Sequence, residues 1–184
     1  MKTVPILEAL CARARPIILK YASIDSCIAS TRIGMEVLRR LKIQSSPLAV
    51  KVVAFNKKGS EFMLAKHPEW VREQKDGAYG VGIGHGHGKG TGWDGHLVLI
   101  VRDGTRYLLD LSIDQASRPQ HGIVLTPFYT PYTGEPLTLE IPNGGAIIYE
   151  TEPDNKEWKQ APDWNLKRWS NAVEEVLEAL PRNQ

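Results

Sequence analysis

Apolar residues recur at helical spacing from the start of the chain. In "VPILEALCARA", Val4, Leu7, Leu10, Cys11 and Ala14 form one stripe, and Pro5 stands where a first helical turn tolerates it. A second helix is predicted over "SIDSCIASTRIGMEVLRRLKI", with Asp25 or Ser26 as cap and Ile28, Met35, Leu38 and Leu41 on its buried face. "PLAVKVVAFN", residues 47–56, reads as a buried strand. Regularity then fades. Residues 57–92 hold a short helix around "HPEWVREQ" and then "GAYGVGIGHGHGKGTG", a glycine-rich run expected to be a surface loop. Alternating apolar positions return in "WDGHLVLIVRDGTRYLLDLSIDQ", a hairpin, and in "LTLEIPNGGAIIYET", a second hairpin turning near Asn143-Gly144. Between them "RPQHGIVLTPFYTPYTGEP" is broken by prolines into an irregular crossing. "DWNLKRWSNAVEEVLEALP" predicts a closing amphipathic helix that stops at Pro181. Helices first, a mostly antiparallel sheet next and a helix last predict a single α+β domain over residues 1–184, with a glycine-rich insert at about 77–92.

The first hairpin carries two residues that its apolar strands do not need, His96 and Asp110. A two-residue turn at Asp103-Gly104 would set His96 opposite Leu111 and send Asp110 to the other face. A three-residue loop, Arg102-Asp103-Gly104, sets His96 directly across from Asp110. Such loops favour glycine in their last, left-handed position, where Gly104 stands, so the three-residue loop is expected. An aspartate facing a histidine across two strands can hold the ring in one tautomer.

Composition narrows the field. With 42% apolar residues over 184 positions, the chain can bury a core without disulfides or metal. The net charge is +2 and its Lys and Arg are scattered, so no nucleic-acid partner is expected. Two cysteines make no disulfide framework, the N-terminus is a poor secretory signal, and no stretch approaches the roughly 20 apolar residues of a membrane span. A reduced, cytoplasmic location is expected; oligomeric state stays open.

Cys27 begins its predicted helix, where the positive end of the dipole favours thiolate and unpaired N–H groups can receive a developing oxyanion. It shares a face with Thr31, Gly34 and Leu38, and Gly34 would let a strand approach closely. A helical cysteine is equally a small buried apolar residue, which suits Cys11. His85, His87 and His96 invite a metal, but no Cys or acidic residue completes a zinc spacing. The glycine run lacks the phosphate-loop pattern, since Gly90 follows Lys89. Neither metal nor cofactor is expected. His85 and His87 are candidate substrate contacts, and Trp93 a candidate wall of an acyl pocket. Gln115 and Asn56 are further polar candidates without an assigned place. An alternative class is a non-catalytic binding or interaction protein, using aromatic rings exposed in "TPFYTPYTGEP" and "EWKQAPDWNLKRW".

The order of a cysteine at a helix start, a histidine on a strand and an aspartate on the next resembles the transglutaminase-like superfamily, within the broad papain-like fold. "DSCIASTRIGMEVLRRL" matches the nucleophile helix and "GHLVLIVRDGTRYLLDLS" the His and Asp strands; the latter also resembles arylamine N-acetyltransferases. The likeness covers roughly residues 20–115. His96 and Asp110 lie 14 residues apart, as the superfamily leads one to expect. The Cys27-to-His96 interval is longer than usual, and Ser26 stands where many members have tryptophan, leaving the second oxyanion donor open. The chain also lacks the length of a three-domain acetyltransferase. The resemblance implies a Cys27 nucleophile, a His96 base and acid and an Asp110 orienter. It implies acyl transfer through a thioester, as peptidase, amidase or acyltransferase, on a peptide, protein or small acyl substrate.

Overall fold

The computed structural model describes residues 3–84 and 93–181. Helix α1 (Thr3–Ile18) buries its predicted stripe through Leu7, Leu10 and Ala14, and runs on through Pro16 to Ile18. Helix α2 (Cys27–Arg40) begins one residue after Ser26. Ser26 occupies the cap position, but its hydroxyl donates to the Ser23 carbonyl and caps no helical N–H, contrary to expectation. The Ser26 side chain thus accepts none of the first-turn N–H groups of α2.

Seven antiparallel strands form one sheet: β1 (Gln44–Phe55), β2 (Gly80–Ile83), β3 (His96–Asp103), β4 (Thr105–Asp110), β5 (Phe128–Pro131), β6 (Leu137–Ile141) and β7 (Gly145–Thr151). Their order is β5-β4-β3-β1-β7-β6, with β2 also paired to β1. The expected α+β class holds. Strand β1 is longer than predicted and contains Pro47. Its pairing with β7 begins only at Val50, so Pro47 stands where β1 has β3 as partner and no β7. Helix α4 (Pro68–Arg72) is the short helix expected around "HPEWVREQ", and α3 (Lys57–Leu64) is a further helix in the segment read as irregular.

The glycine-rich run is in part a strand. Val81 and Ile83 alternate with Gly80 and Gly82 and pack on the core, while Ala54 pairs with Val81. Alternation overrides the loop-like composition there. The closing helix α5 (Ser170–Ala179) is shorter than expected; residues 157–169 instead form three 3₁₀ turns. The second hairpin turns as predicted, with Asn143 and Gly144 both at positive φ.

Both faces of the sheet's centre are covered. Leu99 and Val101 of β3 and Leu109 of β4 pack with α1, α2 and α5. Val98, Ile100 and Leu108 face the other way, with Val50, Val52 and Tyr149. Helix α2 lies very close to the sheet. A Cβ on Gly34 would meet Leu111 Cδ1 at 2.7 Å and Leu99 Cδ1 at 3.0 Å, so glycine permits the approach the sequence suggested. Thr31 Oγ1 donates to the Leu97 carbonyl at 2.8 Å and fixes the helix along β3. No described helix is long and apolar enough to cross a membrane.

Candidate active site

The first hairpin turns around Gly104 at φ +69°, with Asp103 facing Thr105. The expected register, with His96 directly opposite Asp110, is therefore wrong: Leu99 faces Leu109, which puts Asp110 across from Val98. Glycine occupies the middle of the turn rather than its end. The slip is an even two residues, so both side chains keep the same face and become diagonal neighbours. They still meet. His96 Nε2 and Asp110 Oδ2 are 2.6 Å apart, and both residues are wholly buried.

Asp110 is fully engaged. Its Oδ2 also accepts from the Tyr149 hydroxyl at 2.9 Å, and its Oδ1 accepts the Ser112 N–H at 3.0 Å. The other ring nitrogen, His96 Nδ1, lies 2.6 Å from Gln115 Nε2. A neutral ring that donates from Nε2 to Asp110 accepts the amide there; a ring protonated on both nitrogens is met by the amide oxygen after a half turn. Asp110 and Gln115 thus occupy the two ring nitrogens of His96. Among the described residues no group of three His, Cys, Asp or Glu is placed to hold a metal ion. Burial disfavours the His96 imidazolium. The Asp110 charge and hydrogen bond, with smaller contributions from the Cys27 thiol, outweigh that and hold His96 well above the ordinary imidazole range.

Cys27 lies beside the start of β3. Its Sγ lies 4.0 Å from the Gly95 carbonyl, and it is 6% exposed. Ala49, Leu97, Ile28 and the indoles of Trp93, Trp158 and Trp164 cluster with Cys27 in one apolar patch. Glycine at 95 is needed, because a Cβ there would sit 2.4 Å from the Trp93 ring. Trp93 Nε1 donates to Asn155 Oδ1 and Trp158 Nε1 to the Asn155 carbonyl, both at 3.0 Å. Trp158 and Trp164 meet edge to face at 4.4 Å.

No family model, curated protein or solved structure matches the chain. The geometry of the site therefore carries the functional argument, residue by residue.

His96 and Asp110 come together, Cys27 lies against Gly95 next to His96, and Trp93 lies beside the thiol. His85 and His87 fall outside the described residues. Asn56 is elsewhere: it caps α3, and its side chain ties Gly59, Gly77, Tyr79 and His121 together. Gln115, left unplaced by the sequence, is at the heart of the site. Tyr149, Trp158 and Trp164 were missed as site residues, because they join it from strands and turns far along the chain. The segment "EWKQAPDWNLKRW" read as a source of exposed rings, yet Trp158 and Trp169 are buried and Trp164 is half-buried, with Arg32 over its ring. Phe128, Tyr129 and Tyr132 are likewise at least half covered. Cys11 packs beside the α1–α2 core, and burial foremost, then the Asp110 charge, pushes its thiol up to about 12.

One buried cation braces the site from behind. Arg15 of α1 donates to Ser30 Oγ at 3.1 Å and to the Ile24 carbonyl at 2.6 Å. Its Nε meets Asp114 Oδ1 at 2.7 Å, off the N–H axis, as an ion pair rather than an aligned hydrogen bond. Arg15 thus ties the approach to Cys27 to the turn that carries Gln115.

Proposed function

We propose that this chain is a cysteine-dependent acyl-transfer enzyme of the transglutaminase-like kind, with a papain-like placement of its site. The supporting observation is the buried His96–Asp110 pair at 2.6 Å beside the Cys27 thiol, whose Sγ lies 4.0 Å from the carbonyl of the neighbouring Gly95. Cys27 passes its proton to His96 Nδ1 and its sulfur attacks an acyl carbon, whose π electrons move to oxygen. The tetrahedral centre collapses with release of the leaving group, which takes the proton from His96, and a thioester remains. Water or an amine then repeats the sequence in reverse, so peptidase, amidase and acyltransferase outcomes share one set of residues. The first-turn N–H groups of α2 stand ready for the oxyanion, and Trp93 walls the acyl side. A free nucleophilic thiol suits a reducing compartment, and we place the enzyme in the cytoplasm on that ground. The competing reading, a non-catalytic binding protein, loses its motivating surface with Trp158 and Trp169 buried.

The test is iodoacetamide labelling followed at each cysteine by peptide mass spectrometry, from about pH 5 to about pH 9. Cys27 is expected to label rapidly on the acid side and to slow at least tenfold in His96→Ala, while Cys11 stays slow. Equal, slow labelling of both cysteines in either protein would overturn the assignment.

A further inference from the structure

In its neutral state His96 has one nitrogen for Asp110 and one left for the thiol proton, and the second is occupied. Gln115 Nε2 sits on Nδ1 at 2.6 Å, while Asp110 holds Nε2. Transfer of the Cys27 proton therefore requires the amide to move aside. Its backbone does not need to follow. The turn Ile113–Ala116 is anchored by buried Ile113 and Ala116, by the Gln115 N–H on the Ser112 carbonyl, by Arg118 on the Gln115 carbonyl and by the Arg15–Asp114 pair. The side chain alone is left to rotate. Gln115 is also half-exposed, while Cys27, His96 and Asp110 are buried, so it is the polar edge of the site that an entering acyl group meets.

A tetrahedral intermediate needs a second donor beside the helix N–H groups, and among the described residues several neighbouring donors are already in use. Ser26 donates to Ser23, Trp93 and Trp158 donate to Asn155, and Arg32 Nε donates to the Trp164 carbonyl. The Gln115 amide carries two N–H donors: a neutral His96 ring takes one of them, and a protonated ring, met by the amide oxygen, takes neither.

We propose that Gln115 caps His96 Nδ1 in the resting site and, displaced by substrate, turns its amide onto the acyl oxygen as the second oxyanion donor. The inference rests on the acyl-transfer reading above and deepens it. Gln115 is then a catalytic residue for acyl chemistry and an inhibitory cap for the free thiol.

Two probes separate those roles. Iodoacetamide is attacked at a saturated carbon, so iodide leaves and no oxyanion forms. p-Nitrophenyl acetate is attacked at its carbonyl: the S–C bond forms, the π pair moves to oxygen, and on collapse the C–O bond breaks to release p-nitrophenolate. Gln115→Ala and Gln115→Met, the latter of equal length without a donor, are each treated with both reagents. Modification is read at Cys27, and Cys11 protection reports the fold. Acylation is expected to fall about 100-fold in both variants while alkylation is unchanged or faster, because the base is uncapped. Parallel loss of both reactions with Cys11 still protected, or acylation at the wild-type rate, would overturn the role given to Gln115. A wild-type Cys27 that reacts with neither reagent would instead overturn the acyl-transfer reading itself.

Discussion

A carboxylate with no exposed surface is tolerable only when its oxygens are satisfied, and Asp110 meets that condition through His96, Tyr149 and the Ser112 N–H. Tyr149 is more than a packing residue. Burial first, then the Asp110 charge and hydrogen bond, hold its hydroxyl well above the ordinary phenol range, so it remains a donor. By donating, it draws charge away from the oxygen that serves His96. Tyr149→Phe should therefore raise His96 further, at a stability cost of about 1.5–3 kcal/mol for a hydrogen bond to a charged group. Asp110→Asn should lower His96 instead. NMR titration of the His96 ring reads both signs; an unmoved titration in Tyr149→Phe would take the tyrosine out of the relay. At this scale the sequence disclosed His96 and Asp110, because polar residues inside apolar strands are conspicuous. It hid Tyr149 and gave the candidate Gln115 no place. A tyrosine in a hairpin looks like core, and nothing local links residue 149 to residue 110.

Elements were legible where a pattern had one reading. Helix α2 kept the expected face of Cys27, Thr31, Gly34 and Leu38, with Gly34 against Leu99 and Leu111, whereas Ile28, Met35 and Leu41, expected on its buried face, are only half-buried. The first hairpin kept the face of His96 and Asp110 although the register moved, since an even slip preserves the alternation. Strand β2 was hidden because its glycines suggest a loop, and the turns at 157–169 because "DWNLKRW" continues the period of α5. Arg15 was also invisible: an arginine on α1 looks solvated until α2 and the Ile113–Ala116 turn close over it. Its pair with Asp114 joins three elements, so it should matter more than a surface bridge. Arg15→Met leaves Asp114 without its cation and should cost about 3 kcal/mol in urea unfolding. It should also slow Cys27 labelling, because the approach to α2 loosens. A loss below about 1 kcal/mol would mean that solvent screens the pair and that the brace is unimportant.

For the molecule as a whole, the α+β class followed from the order of patterns, but the sheet order did not. Placing β1 between β3 and β7 is what delivers Tyr149 to Asp110, and only long-range pairing fixes it. The assembled molecule should also betray its buried site in its stability against pH. On the acid side Glu36, hydrogen-bonded chiefly by Arg39, then opposed by its own burial and helped by Arg40, is depressed to about 2. Its contribution is present above its ordinary value of 4.5 and is lost as pH falls towards 2. On the alkaline side the folded protein holds protons that the unfolded chain releases. His96, raised above 6.5, contributes fully below that value and loses its contribution as pH rises through its folded value. Cys11 adds a second loss from 9 to about 12, and Tyr149 a third above 10. Stability should therefore be greatest between about pH 4.5 and 6.5 and decline upwards in stages. Between about pH 6.5 and 9 the slope belongs to His96 and approaches 1.4 kcal/mol per pH unit for one proton. Urea unfolding across that interval should show this slope in the wild type and lose it in His96→Gln. A wild-type profile flat from about pH 6.5 to 9 would mean that Asp110 does not hold a protonated ring in the folded state.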